Sequence, residues 1–115
     1  MNITEQILSH YEKIVHALVA VAPEDWYLVK VGTKVFDDSI HITFGFFVGK
    51  QLKPKFMEIP RDDVRLLKQL FQELKRFSIA RGEPWIGCRF QVDNKGKYDT
   101  RYFYEDLPLA KVVEG

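Results

Sequence analysis

Apolar residues recur at spacings of three and four over residues 3–21, with polar residues between them. This period is typical of a helix with one buried face. Asn2 and Glu5 have the form of a capping box at its start, and Pro23 stops it. The apolar stripe of this first predicted helix is Ile3, Ile7, Tyr11, Ile14, Leu18 and Val21.

A second predicted helix follows Pro60. Asp62 and Asp63 fall in its first turn, where the helix dipole favours negative charge. Arg81-Gly82 ends it, because glycine accepts the left-handed conformation common just beyond a helix. Its buried stripe is Val64, Leu67, Leu70, Phe71, Leu74 and Phe77.

Alternation with a period of two predicts strands between the helices. Residues 27–35 and 40–48 alternate in this way, with the turn Asp37-Asp38-Ser39 between them. Lys55–Ile59 is predicted to return as a short third strand, and Pro54 favours an edge position for it.

The last third of the chain predicts a hairpin whose register follows from its turn. Asp93–Lys97 fits a type I turn followed by a glycine bulge, with Gly96 supplying the positive φ. Any one-residue slip would place charged side chains on the apolar face. The predicted pairs are Val92 with Tyr98, Phe90 with Thr100, Cys88 with Tyr102, and Ile86 with Tyr104. The other face is then expected to carry Trp85, Arg89, Gln91, Asp99, Arg101, Phe103 and Glu105.

These elements predict an α+β fold in a single domain spanning residues 1–115. The order is α-β-β-β-α-β-β, with an antiparallel sheet of about five strands. Two one-sided helices are expected to cover the same face of the sheet. The opposite face is then left to solvent or to a partner.

Composition narrows the functional classes. The chain is 46% hydrophobic and its net charge is +1, so it is globular and lacks the basic excess of most nucleic-acid-binding domains. Cys88 is the only cysteine, which excludes an internal disulfide and favours a reducing compartment. With no signal peptide and no apolar run of membrane-spanning length, we expect a cytoplasmic protein that does not enter the membrane.

The residues offer no catalytic, metal or cofactor site by sequence pattern, so we expect no enzyme activity and no cofactor. His10 and His16 are six apart, which places them on different sides of a helix. Gly45–Gln51 resembles a phosphate-binding loop, but its glycines are too close and Gln51 replaces the required Ser or Thr. Direct nucleic-acid binding is not expected either, because the element order and charge balance do not favour it.

Several motifs resemble the YezG family of bacterial immunity proteins. They are Pro23-Glu24-Asp25-Trp26, Gly82-Glu83-Pro84-Trp85, Phe90, Asp93-Asn94-Lys95-Gly96-Lys97-Tyr98 and Tyr102-Phe103-Tyr104-Glu105-Asp106-Leu107. The resemblance implies a cytoplasmic antitoxin that binds a cognate toxin, often one with a nuclease domain, without catalysis. It does not say which residues touch the toxin.

The uncovered face of the last hairpin is the predicted partner-binding surface, since aromatic and arginine side chains are enriched at interface hot spots. Its candidate residues are Trp85, Arg89, Arg101, Phe103, Glu105 and Asp106. For Trp85 we favour the alternative of core packing, because large aromatic side chains usually bury most of their surface. Arg89 and Arg101 form a like-charge cross-strand pair, which Asp99, Glu105 or a partner's acidic group could neutralise. Replacing both arginines with glutamate is expected to abolish binding with little effect on thermal stability. The alternative reading is a self-associating adaptor that forms a homodimer through the same face.

Overall fold

The computed structural model describes residues 2–115. It confirms the α+β class and contains helices and strands in the order α-β-β-α-β-β-α. The elements are α1 Ile3–Val21, β1 Trp26–Val35, β2 Ile40–Val48, α2 Arg61–Ala80, β3 Gly87–Asp93, β4 Tyr98–Phe103 and α3 Leu109–Glu114.

The first helix begins with the predicted capping box. The Asn2 side chain accepts a hydrogen bond from the Glu5 backbone N–H at 2.8 Å and donates one to the Glu5 carboxylate at 3.1 Å. These bonds satisfy polar groups that a helix terminus leaves without intrahelical partners. The helix ends at Val21, two residues before Pro23, so its boundaries follow from local sequence chemistry.

The sheet is antiparallel and has the strand order β2-β1-β3-β4. Lys55–Ile59 does not form the predicted third strand, because only a single bridge joins Lys55 to Phe46. Lys55 and Phe46 exchange backbone hydrogen bonds of 2.7 and 2.9 Å, and the chain then leaves the sheet toward α2. Within residues 2–115 the sheet therefore has four strands rather than about five.

The hairpin register is confirmed at three of the four predicted pairs: Val92 with Tyr98, Phe90 with Thr100, and Cys88 with Tyr102. Gly96 has the positive φ of 83° that the turn requires. The ladder ends where Gly87 pairs with Phe103, so the predicted pair of Ile86 with Tyr104 lies outside it. The Ile86 backbone N–H instead bonds to the Phe103 carbonyl at 2.8 Å, an irregularity that ends the alternation.

The helices α1 and α2 cover one side of the sheet, which we call the helix face. The main core lies between these helices and the sheet. The largest fully buried side chains include Trp85, Phe46, Phe71 and Phe90. Cys88 is also buried there, and burial raises the pKa of its thiol. The thiol therefore stays protonated and behaves as a small apolar group.

The opposite side of the sheet, which we call the outer face, was expected to be uncovered, but it is partly covered. The short helix α3 packs on it, mainly against β1 and also against β2 and β3. Val112 and Val113 are buried there. Close packing is achieved because β1 carries Gly32, where an added Cβ would lie 2.7 Å from the Cβ of Val113. The expectation of an outer face left entirely to solvent or a partner is therefore wrong at its centre.

Replacing Gly32 with alanine should push α3 away from the sheet. The added methyl would also lie 2.8 Å from the Val113 backbone nitrogen, and overpacking of this kind costs about 1–3 kcal/mol. Urea unfolding should show that loss, and limited proteolysis should cut the C-terminal segment faster. Gly87→Ala is the matched control, because its closest contact is a Val112 methyl at 3.3 Å. A Gly32→Ala variant as stable as the parent chain would contradict the close packing.

Candidate partner-binding surface

The outer face is the part of the molecule that the sequence predicted to meet a partner. α3 lies over its middle and leaves two regions at its sides. One is formed by the β3–β4 hairpin, and the other by β2 with the segment that follows it. The two regions differ in the way their charges are paired.

Trp85 does not lie on the outer face. It is fully buried and stacks on Tyr102, with 5.2 Å between ring centroids. The alternation that placed Trp85 on the outer face does not extend to it, because β3 begins only at Gly87. The hairpin register alone placed Trp85 on the outer face, whereas the core packing that we favoured for a large aromatic is confirmed. The Trp85 ring therefore cannot contact a partner in this fold.

Arg89 and Arg101 are directly opposite each other on β3 and β4, as predicted. Arg89 is neutralised within the chain: its Nη2 lies 2.6 Å from Asp99 Oδ2, and its Nη1 donates to Gln91 Oε1 at 2.8 Å. Its side chain is only 9% exposed, so it is not free to bind a partner's acidic group. Arg101 is exposed and donates to the Gly115 carbonyl at 3.0 Å.

The other three candidates lie at the end of β4 and just beyond it. Phe103 is half-buried, and the guanidinium of Arg101 lies 5.0 Å from its ring centroid. Asp106 forms an ion pair with Lys34 at 2.6 Å. Glu105 is exposed and makes no ion pair within residues 2–115. The hairpin region is therefore accessible, but most of its charges already have partners.

The second region of the outer face was not found by the sequence analysis. A groove of about 360 Å³ runs between α3 and the edge of the sheet. Its lining is mostly apolar and consists of Lys30, Thr43, Gly45, Phe47, Pro54, Phe56, Leu109, Ala110, Val113 and Glu114. The sequence signal that could have indicated it is the mixture of basic and apolar residues after Gly49, part of which was predicted as a short strand.

Two half-buried tyrosines on the helix face are held neutral. The hydroxyls of Tyr11 and Tyr102 share a hydrogen bond of 2.5 Å. Burial is the largest cause of a raised pKa at both tyrosines. Within residues 2–115 no cluster of three or more His, Cys, Asp or Glu side chains could hold a metal ion. No helix in that range is both long and apolar enough to cross a membrane.

The fold and its surface define a small α+β domain with a four-stranded antiparallel sheet, covered by two long helices on one face and by a short helix on the other. Residues 7–112 match the family described as "Immunity protein YezG-like". The chain therefore belongs to the YezG-like immunity protein family.

Two relatives carry the name "Immunity protein YezG". The one from Bacillus spizizenii strain W23 is 24% identical over 117 residues, which covers 91% of this chain and 72% of the relative. The one from Bacillus subtilis strain 168 is 25% identical over 117 residues, covering 91% of this chain and 77% of the relative. The resemblance expected from the sequence motifs is confirmed.

Several of the motif residues have structural roles here. Trp85 fills the core. Asp93 accepts hydrogen bonds from the backbone N–H groups of Lys95 and Lys97, both at 2.9 Å, and so fixes the hairpin turn. Asp25 has a φ of 62°, and its carbonyl accepts a bond from Gly49 at 2.8 Å. At these positions the family motifs stabilise the fold. They therefore do not identify a binding surface, which has to be inferred from exposed side chains.

Proposed function

We propose that this protein is an antitoxin that neutralises a cognate toxin domain of the nuclease type by forming a stoichiometric complex with it. The observation that carries the proposal is the match to the YezG-like immunity family across residues 7–112. The toxin's nuclease character comes from the motif resemblance. The free Cys88 fits action in the reducing cytoplasm, where such a toxin would meet nucleic acid.

The chemistry of the buried groups supports inhibition by binding rather than by catalysis. A nucleophilic cysteine needs a lowered pKa, whereas burial raises that of Cys88. Tyr11 and Tyr102 bond to each other, and their raised pKa values keep them protonated. The outer face, in contrast, offers exposed side chains and a shallow groove of the kind that protein partners use.

Co-expression with the toxin domains encoded beside this gene tests the proposal. One of them should arrest growth and degrade cellular nucleic acid when expressed alone, and this chain should restore growth in proportion to its expression. The pair should co-purify at a fixed molar ratio, measured by light scattering after gel filtration. An unrelated small α+β protein serves as the control. Failure of every neighbouring toxin to be neutralised would contradict the proposal.

A homodimeric adaptor is the second candidate, and it is favoured by one observation. β4 is at the edge of the sheet and pairs only with β3, so its other side offers backbone groups to a second strand. The same light-scattering measurement on the isolated chain separates the two functions. A dimer that is unaffected by any neighbouring toxin would favour the adaptor.

A further inference from the structure

The segment Lys50–Phe56, which we call the basic loop, displays the two most exposed large apolar side chains in residues 2–115. Leu52 is 90% exposed and Phe56 is 63% exposed. Single exposed apolar residues are common on protein surfaces. Two of them in one short loop, beside an apolar groove, form a surface that is typical of protein binding.

The backbone of the basic loop is held in place although its side chains are exposed. The Tyr27 hydroxyl donates to the Gln51 carbonyl, and the Gln51 N–H donates to Val48 at 3.1 Å. Further along, Lys55 is bridged to Phe46 by two backbone hydrogen bonds. A loop that is fixed before binding loses less conformational entropy when a partner binds. Leu52 and Phe56 can therefore contact a partner at a low entropic cost.

The groove beside this loop fits an apolar side chain from a partner. Its lining combines Pro54 and Phe56 of the loop, Phe47 of β2 and residues of α3. Its volume of about 360 Å³ can take one or two large side chains. The groove is concave, so a flat lipid surface would leave it unfilled.

Most of the charges around the groove are positive, and the lysines that carry them have no ion-pair partner in the described part of the chain. Lys50, Lys53 and Lys55 in the loop, and Lys30 in the groove, make no ion pair with any residue of 2–115. Glu114 is the carboxylate among the groove's lining residues. By comparison, Lys34 on β1 is paired with Asp106 just beyond the hairpin, and Arg89 in the hairpin region is paired with Asp99. The basic loop therefore offers the acidic groups of a partner a set of lysines that are not neutralised within residues 2–115 and that lie beside an apolar groove.

We propose that the basic loop and its groove are the main anchor for the toxin, and that they bind a toxin surface on which carboxylates surround a large apolar side chain. This inference rests on the proposed antitoxin function. The apolar side chain enters the groove against Phe56, and the carboxylates pair with the lysines. Nucleic acid is a weaker fit, because the whole chain carries a net charge of only +1.

The apolar part of the anchor is tested with the toxin domain that co-expression identifies. The double variant Leu52→Ser with Phe56→Ser should weaken toxin binding by about 100-fold or more, since interface hot spots of this type dominate affinity. Leu8→Ser with Ile79→Ser is the matched control: these side chains are 49% and 51% exposed, on the helices of the opposite face. The control should bind within about threefold of the parent chain.

The charged part of the anchor is tested by the rate of association with the toxin and by chemical cross-linking. Lys53→Glu with Lys55→Glu should slow association about tenfold at low salt, with a smaller effect at high salt. Lys95→Glu with Lys97→Glu, in the exposed hairpin turn, is the control. A carbodiimide, which joins amines directly to carboxylates, should cross-link the lysines of the basic loop to aspartates or glutamates of the toxin.

The outcomes separate this inference from the antitoxin function itself. If no neighbouring toxin is neutralised, both the antitoxin function and the proposed anchor are contradicted. If a toxin is neutralised but the loop variants bind it as tightly as the controls do, the anchor is wrong and the antitoxin function stands. Cross-links from Glu105 or Asp106 to toxin lysines, with none from the loop, would place the toxin on the hairpin region and also overturn the anchor. Loop-dependent binding of the free chain to anionic vesicles as strong as its toxin binding would overturn it in favour of a membrane.

Discussion

Replacing Trp85 with alanine should lower the free energy of unfolding by about 3–5 kcal/mol, the range for truncating a buried tryptophan. The ring is fully buried, stacks on Tyr102 and has the Lys75 ammonium 5.8 Å from its centroid. Its removal would leave a cavity between β4 and α2 that the surrounding side chains cannot fill. Urea unfolding followed by circular dichroism measures the loss.

Two further variants show that the effect comes from packing. Trp85→Phe should cost much less, because it keeps a ring against Tyr102 and removes the buried indole N–H, which has no hydrogen-bond partner. Phe103→Ala, at a half-buried site on the outer face, should cost about 1–2 kcal/mol. If Trp85→Ala unfolded at the same urea concentration as the parent chain and lost only toxin binding, the buried position of Trp85 would be contradicted.

The periodicity of the sequence predicted correctly those elements whose structure is determined by local residues, such as α1 and the β3–β4 hairpin. The stripe of α1 is long, and the Asn2 cap lies directly before it. In the hairpin, the turn Asp93–Lys97 and the apolar residues of both strands demand the same register. Local and tertiary preferences agree in these segments, so the sequence alone was sufficient.

The helix α3 could not be predicted in this way. It has six residues, too few to show a helical period, and it is stable only because Val112 and Val113 pack on the sheet beside Gly32. The hairpin register placed Trp85 on the wrong face for a related reason. Its position depends on where β3 begins, and the irregular bond between Ile86 and Phe103 sets that boundary. Both features depend on contacts between segments far apart in the chain.

The candidate binding surface was only partly predictable. The sequence directed attention to the outer face, and its pairing of Arg89 with Arg101 is confirmed. It could not show that Asp99 already neutralises Arg89. Nor could it show that the segment after Gly49, predicted as a turn and a short strand, displays Leu52 and Phe56 to solvent. Folding thus separates two roles: the hairpin arginine and Trp85 maintain the structure, while the basic loop remains available for a partner.

The paired substitution Arg89→Glu with Arg101→Glu should lower the free energy of unfolding by about 3–5 kcal/mol, in contrast to the small effect expected from sequence. It would place three carboxylates at positions 89, 99 and 101 and remove the ion pair of 2.6 Å with Asp99. Position 89 is only 9% exposed, so water cannot solvate the new charge well. Urea unfolding of the double variant measures this loss directly.

Single variants at the same two positions identify the cause. Arg101→Glu alone should change the free energy of unfolding by less than about 1 kcal/mol, because the side chain is exposed and Arg89 remains as a cation opposite it. Arg89→Met should also cost little, since it keeps an apolar stem in place and leaves Asp99, which is 66% exposed, to water. Loss of toxin binding in the double variant would then report unfolding, whereas loss in Arg101→Glu would report contact with the toxin. A double variant as stable as the Arg101→Glu variant would show that Arg89 is far better hydrated than its burial indicates.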